Sequence, residues 1–132
     1  MTREWEKAIG SGNVEQARAM LDAGVDINSV DRYGQTAVMK AAHQGHVEIV
    51  RLLIERGASL NHTAKYGLSA LMLAVISNHP EVVEQLIAGG ANVALRSSKK
   101  TGPFCDRTAL ELASQMGHIQ CAEILMKNRE SE

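Results

Sequence analysis

Three histidines, His46, His79 and His118, recur along the chain, as a ladder of imidazole metal ligands would. No carboxylate or thiol recurs beside them at ligand spacing. His43 and His46 straddle Gly45, so they need not share a helix face. No metal is expected. Cys105 and a distant histidine would be a nucleophile and its base, but no elbow or oxyanion arrangement accompanies them. Lys99-Lys100-Thr101-Gly102 lacks the spaced glycines of a phosphate-cradling loop. The residues therefore predict neither enzyme activity nor a cofactor. What remains is surface chemistry, and it depends on the elements that hold it.

The 132 residues suffice for one domain. Apolar residues make up 45%, so a core is expected, but aromatics are only 3%. That core must be built from Leu, Ile, Val, Met and Ala, which suits closely packed helices. The net charge is −1 with both signs interspersed along the sequence. Nothing global favours nucleic acid or an anionic membrane. Cys105 and Cys121 make no disulfide framework, and no apolar run reaches membrane length. These features predict an intracellular protein, cytoplasmic or nuclear.

The chain repeats itself. Gly34 and Gly67 stand 33 residues apart, as do Thr36 and Ser69, Ala41 and Ala74, and His46 and His79. Asn28 and Asn61 keep the same interval, and so do Gly24, Gly57 and Gly90. A step of 39 carries Ser69 to Thr108, Ala74 to Ala113 and His79 to His118, so six extra residues lie within Ser97–Arg107. Going backwards, Ala41 maps to Ala8 and Gly45 to Gly12. The register predicts one domain of four units, about 1–30, 31–63, 64–96 and 97–132.

Each unit follows one plan. Thr36, Ser69 and Thr108 are placed to cap a short helix, over Ala37–Gln44, Ala70–Ser77 and Ala109–Met116. Gly45 or Gly117 then permits a left-handed turn, with Asn78 as substitute in the unit between. A second helix such as Val47–Arg56 is apolar around most of its circumference, as a sandwiched helix should be. Gly57 and Gly90 stop it. Trp5 falls in register with Val38, Leu71 and Leu110, which makes it core. Gln16 and Ala19 replace Ile49 and Leu52 in the first unit, and Glu111 and Ser114 replace Met39 and Ala42 in the last. Polar outer faces of this kind predict a complete four-unit array.

These residues resemble the ankyrin repeat, whose helices begin Thr-Pro-Leu-His-x-Ala in a 33-residue period. Here the starts read Thr36-Ala37-Val38-Met39-Lys40-Ala41, Ser69-Ala70-Leu71-Met72-Leu73-Ala74 and Thr108-Ala109-Leu110-Glu111-Leu112-Ala113. Ala replaces Pro, and Met or Glu replaces His. The resemblance implies an all-α solenoid of four helix-turn-helix units with short hairpin fingers. It places the three histidines in Gly-His turns, hydrogen-bonded to local backbone. It also implies a non-catalytic module that binds another protein through fingertips and the exposed side of each first helix. Matching positions are Arg32, Tyr33, Gln35, His43 and Gln44, then Lys65, Tyr66, Leu68, Ile76 and Ser77, and finally Arg107, Gln115 and Met116. Tyrosine, arginine and exposed aliphatics are hot-spot composition. The family also includes asparagines that are hydroxylated eight residues after a leucine, a pattern Asn61 matches with Leu53.

The inserted segment carries Arg96, Lys99, Lys100 and Arg107 around Phe104. It reads either as a solvated loop with Phe104 tucked onto the stack, or as a basic arm for acidic or phosphorylated ligands. The register itself is testable at Leu53, which it places between repeats. Leu53→Ala should cost ~2–5 kcal/mol, and a denaturation midpoint that does not move would refute the assigned register.

Overall fold

In the computed structural model, which describes residues 1–98 and 104–130, eight helices follow one another. They are α1 (Arg3–Ser11), α2 (Val14–Asp22), α3 (Ala37–Gln44), α4 (Val47–Glu55), α5 (Ala70–Ile76), α6 (Pro80–Ala88), α7 (Ala109–Met116) and α8 (Ile119–Glu130). No strand occurs among the described residues. The fingers are loops closed by isolated backbone hydrogen bonds. Each odd helix packs antiparallel on the even helix after it. Contacts then run along two rows, α1–α3–α5–α7 and α2–α4–α6–α8. Lys99 and Lys100 lie outside the described residues.

Small side chains set the closeness of the inner row. Ala37, Ala41 and Ala42 of α3, Ala70 and Ala74 of α5, and Ala109 and Ala113 of α7 are all buried. The bulk between layers comes from Trp5, Met39, Ile49, Leu53, Leu71 and Leu112. Trp5 and Leu53 are core, as the register requires. α4 ends one residue early, with Arg56 as its C-cap, and α5 likewise ends before Ser77.

The caps follow the sequence at two of three positions. Ser69 Oγ accepts from the Met72 amide, and Thr108 forms a reciprocal capping box with Glu111. Thr36 has the extended backbone of an N-cap, but its hydroxyl makes no capping bond and is buried without a partner. That expectation fails.

The histidines correct a second expectation. Their rings bond the preceding repeat, not local backbone. His46 Nε2–H donates to the Gly10 carbonyl at 3.2 Å, and His79 Nε2–H to the His43 carbonyl at 3.1 Å. A carbonyl only accepts, so each ring carries its proton on that nitrogen. The turn glycines make room for these rings. A Cβ on Gly45 would lie 2.7 Å from the His79 ring, and one on Gly12 would lie 3.1 Å from that of His46. The next turn has Asn78 at a φ of 58° instead of glycine. There His118 is displaced, and its Nδ1 donates to Val75 one residue earlier in register, at 2.7 Å.

The outer loops are stitched in the same periodic way. The Asn28 carboxamide oxygen accepts from the Ser59 amide at 2.9 Å, and that of Asn61 accepts from Asn92 at 2.7 Å. At the first unit Gln16 and Ala19 are exposed as expected. The last unit is less polar than its sequence suggests. Ser114 is exposed, but so are Ile119 (72%) and Met126 (52%) of α8.

Gly45 and Gly117 have matching φ values of 78° and 73°, but no atom lies within 4 Å of a Cβ built on Gly117. Both alanine variants should lose about 1–2 kcal/mol to the left-handed backbone. Gly45→Ala should lose more, through its collision with His79. Urea denaturation checks the order, and equal losses would refute the role given to the ring.

Candidate functional site

Three fingers project between the helix pairs, and their roots share one hydrogen-bond plan. Asp31 N–H donates to the Gln35 carbonyl, Ala64 to Leu68 and Ser97 to Arg107, at 3.0, 3.0 and 2.8 Å. The residue before each closing position is left-handed: Gly34, Gly67 and Asp106. Asp106 thus does the work of a tip glycine, and the six inserted residues fall between Ser97 and it. Asp106 also pairs with Arg96 at 2.9 Å, and Glu111 meets the same guanidinium at 3.1 Å.

The first finger is built on Asp31. One carboxylate oxygen accepts from the Tyr33 and Gln35 amides at 2.8 and 2.9 Å, and the other meets Lys40 Nζ at 2.7 Å. Lys40 also reaches Glu6 at 3.2 Å, so this ion pair ties finger, α3 and α1 together. Burial by itself would raise the Asp31 pKa. The Lys40 ammonium and the two amides outweigh it and hold the carboxyl below the usual range. Burial would correspondingly lower Lys40, and Asp31 with Glu6 reverses that. In the third finger Ser97 takes the corresponding role, its hydroxyl accepting from the Arg107 amide and donating to the Phe104 carbonyl.

Neighbouring fingers hold one another. His62 Nε2–H donates to the Gly34 carbonyl at 3.0 Å, and Ser98 N–H donates to the Tyr66 carbonyl at 2.8 Å. Gly67 must be glycine at this join, because a Cβ there would lie 2.6 Å from the Ser98 nitrogen.

On this frame Tyr33 is 59% and Tyr66 49% exposed. Each ring has a cation over it, Arg32 at 5.7 Å and Lys65 at 5.1 Å from the centroid. The repeat register points to the tyrosines but not to these pairings, and Lys40 and His62 carry no sequence signal of their role. Gln35 is half-buried at the finger root. His43 and Gln44 are exposed at the end of α3. Ser77 Oγ bonds His43 Nδ1 at 2.9 Å across to the next unit. Arg107 is exposed and touches Gln115 of α7 at 3.4 Å, beside half-buried Met116. Leu68 and Ile76 are not free aliphatics. Both are half-buried against the core, so their apolar character serves packing first. Phe104 is likewise half-buried against the core.

Among the described residues no three His, Cys, Asp or Glu side chains gather as a metal group, and no helix is long and apolar enough to cross a membrane. Cys121 is buried, its thiol pKa raised by that burial, and its Sγ donates to Asn78 Oδ1 at 3.7 Å. A cleft of about 550 Å³ beside the third finger is lined by Val93, Leu110 and Leu125 around Arg96, a cation already held by Asp106 and Glu111.

Paired helices repeated at a fixed register, with laterally tied fingers, define a helical-repeat solenoid. The family profile described as ankyrin repeats (3 copies) matches residues 6–97, and the chain belongs to the ankyrin-repeat family. α7 and α8 beyond that span continue both rows of helices. A comparison with curated proteins returns no match. Ankyrin repeats are generally protein-interaction modules and typically non-catalytic.

Asp31 supplies a pH-dependent test. Its folded pKa is lowered, so its contribution is present above the unfolded value of about 3.9 and disappears as pH falls through the folded value. Asp31→Asn should cost about 1–3 kcal/mol at neutral pH. The gap should narrow as pH falls below the unfolded value and the carboxyl protonates. Urea titrations at neutral and at acid pH check this, and a gap that persists undiminished in acid would mean the charge is not the source.

Proposed function

We propose that the protein is a non-catalytic adaptor that binds a protein partner across its fingertips and the outward ends of α3 and α7, with half-buried Ile76 and Ser77 at the end of α5 between them. The observation that carries this reading is the repeated Arg32–Tyr33 and Lys65–Tyr66 pairing on adjacent, mutually tied fingers. A tyrosine offers a wide rigid surface with a polar end and loses little entropy on binding. The frame beneath is already ordered by the Asp31, His62 and Ser98 bonds, which lowers the cost of ordering on association. Neither ring fills the stack, because both lie outside the helix layers.

The reading is tested by replacing Tyr33 and Tyr66 together with alanine. Thermal stability should stay within about 1 kcal/mol, because both sites are exposed. Affinity for a partner isolated with the intact protein should fall by about 2–4 kcal/mol, measured by calorimetry. Unchanged affinity would move the site away from the fingertips.

A further inference from the structure

The interspersed charges of the sequence separate in space. Of the outer row, α2, α4 and α6 carry six carboxylates (Glu15, Asp22, Glu48, Glu55, Glu81 and Glu84) against Arg18 and Arg51, with Arg56 at the end of α4 paired to Asp22 at 2.8 Å. α6 has no cation at all. The finger side is the reverse. Arg32 and Lys65 are exposed at the tips of the first two fingers and Arg107 at the root of the third, and among the described residues none of them meets a carboxylate within ion-pair distance. The acids nearby are already engaged, Asp31 and Glu6 by Lys40, and Asp106 and Glu111 by Arg96. A near-neutral chain thus presents an uncompensated cation at each of the first two tips, with Arg107 at the root of the third.

We infer that the fingertips bind an extended acidic segment of another protein, with carboxylates spaced to meet Arg32 and Lys65 in turn. This rests on the fingertip reading above and adds the chemistry of the partner. The spacing follows from the stack. Packed helices stand about 8–10 Å apart, so neighbouring tips repeat at roughly that distance. An extended chain advances about 3.3 Å per residue, which places one carboxylate every third residue. Between the carboxylates, apolar groups of the segment lie against Tyr33 and Tyr66. Protein is favoured over single-stranded nucleic acid because Arg32 and Lys65 are separate exposed cations on adjacent fingers, not the continuous basic groove that tracks a phosphate backbone. The acidic outer row also disfavours a polyanion that wraps.

The test uses the full chain and labelled synthetic peptides read by fluorescence anisotropy. One nonapeptide has glutamate at positions 1, 4 and 7 among apolar residues. A second has the three glutamates contiguous, a third has glutamine in their place, and a dT oligonucleotide is the last probe. The spaced glutamate peptide should bind about tenfold or more tightly than the glutamine peptide, and affinity should fall as salt rises. It should also outbind the contiguous peptide. Arg32→Glu with Lys65→Glu should abolish that binding and confer binding of a peptide with lysine at 1, 4 and 7. If the glutamine peptide binds equally well and the tyrosine double variant loses it, the acidic inference falls and the fingertip site stands. If the glutamate peptide binds but ignores changes at Arg32, Lys65, Tyr33 and Tyr66, both fall. Tighter binding of the oligonucleotide, or no binding of the spaced peptide, overturns the inference.

Discussion

A single helix pair of this chain cannot bury its own apolar surface. α4 is apolar on most of its circumference, and Ile49, Val50, Leu52 and Leu53 are all sealed, which requires neighbours on both sides. Everything else depends on that neighbour contact. It demands small residues where helices approach, and the inner row answers with alanines. It demands room at the turns, where Gly12 and Gly45 accept the ring of the next unit's histidine. The hydrogen bond from that ring to the preceding helix end is the smallest complete statement of the fold, because it joins a turn, a cap and an interface in one contact.

The same constraint ties the fingers to one another. Loops of this length without strands would ordinarily be mobile, but stacking brings each beside its neighbour. His62 and Ser98 then bond carbonyls of the adjacent tip. Asp31 shows how much depends on a single side chain. It sets the finger's turn through two amides, and through Lys40 it fixes that turn to two helices. The exposed tyrosines therefore stand on a surface positioned by the core.

Where the repeat varies, the structure adapts locally. Asn78 replaces a turn glycine, and His118 moves to a different carbonyl. Asp106 replaces a tip glycine, and its left-handed backbone lets the longer third finger close with the same Ser97–Arg107 bond as its shorter relatives. The longer loop leaves the register of α7 unchanged, since closing a somewhat longer surface loop adds little entropy cost.

The sequence by itself determined the helices, the four-unit register, the turn residues and the burial of Trp5 and Leu53. These follow from spacing, glycine conformation and apolar periodicity, which are local and periodic. It also located the insertion and the tip tyrosines. Tertiary structure decided what lies between repeats. Whether a histidine bonds its own turn or its neighbour, whether Thr36 caps, and whether Leu68 and Ile76 are free all depend on atoms some 33 residues away. Charge was the least legible property. Acids and bases are interspersed along the chain, and only stacking sends the acids of α2, α4 and α6 outward while leaving Arg32 and Lys65 on adjacent fingertips.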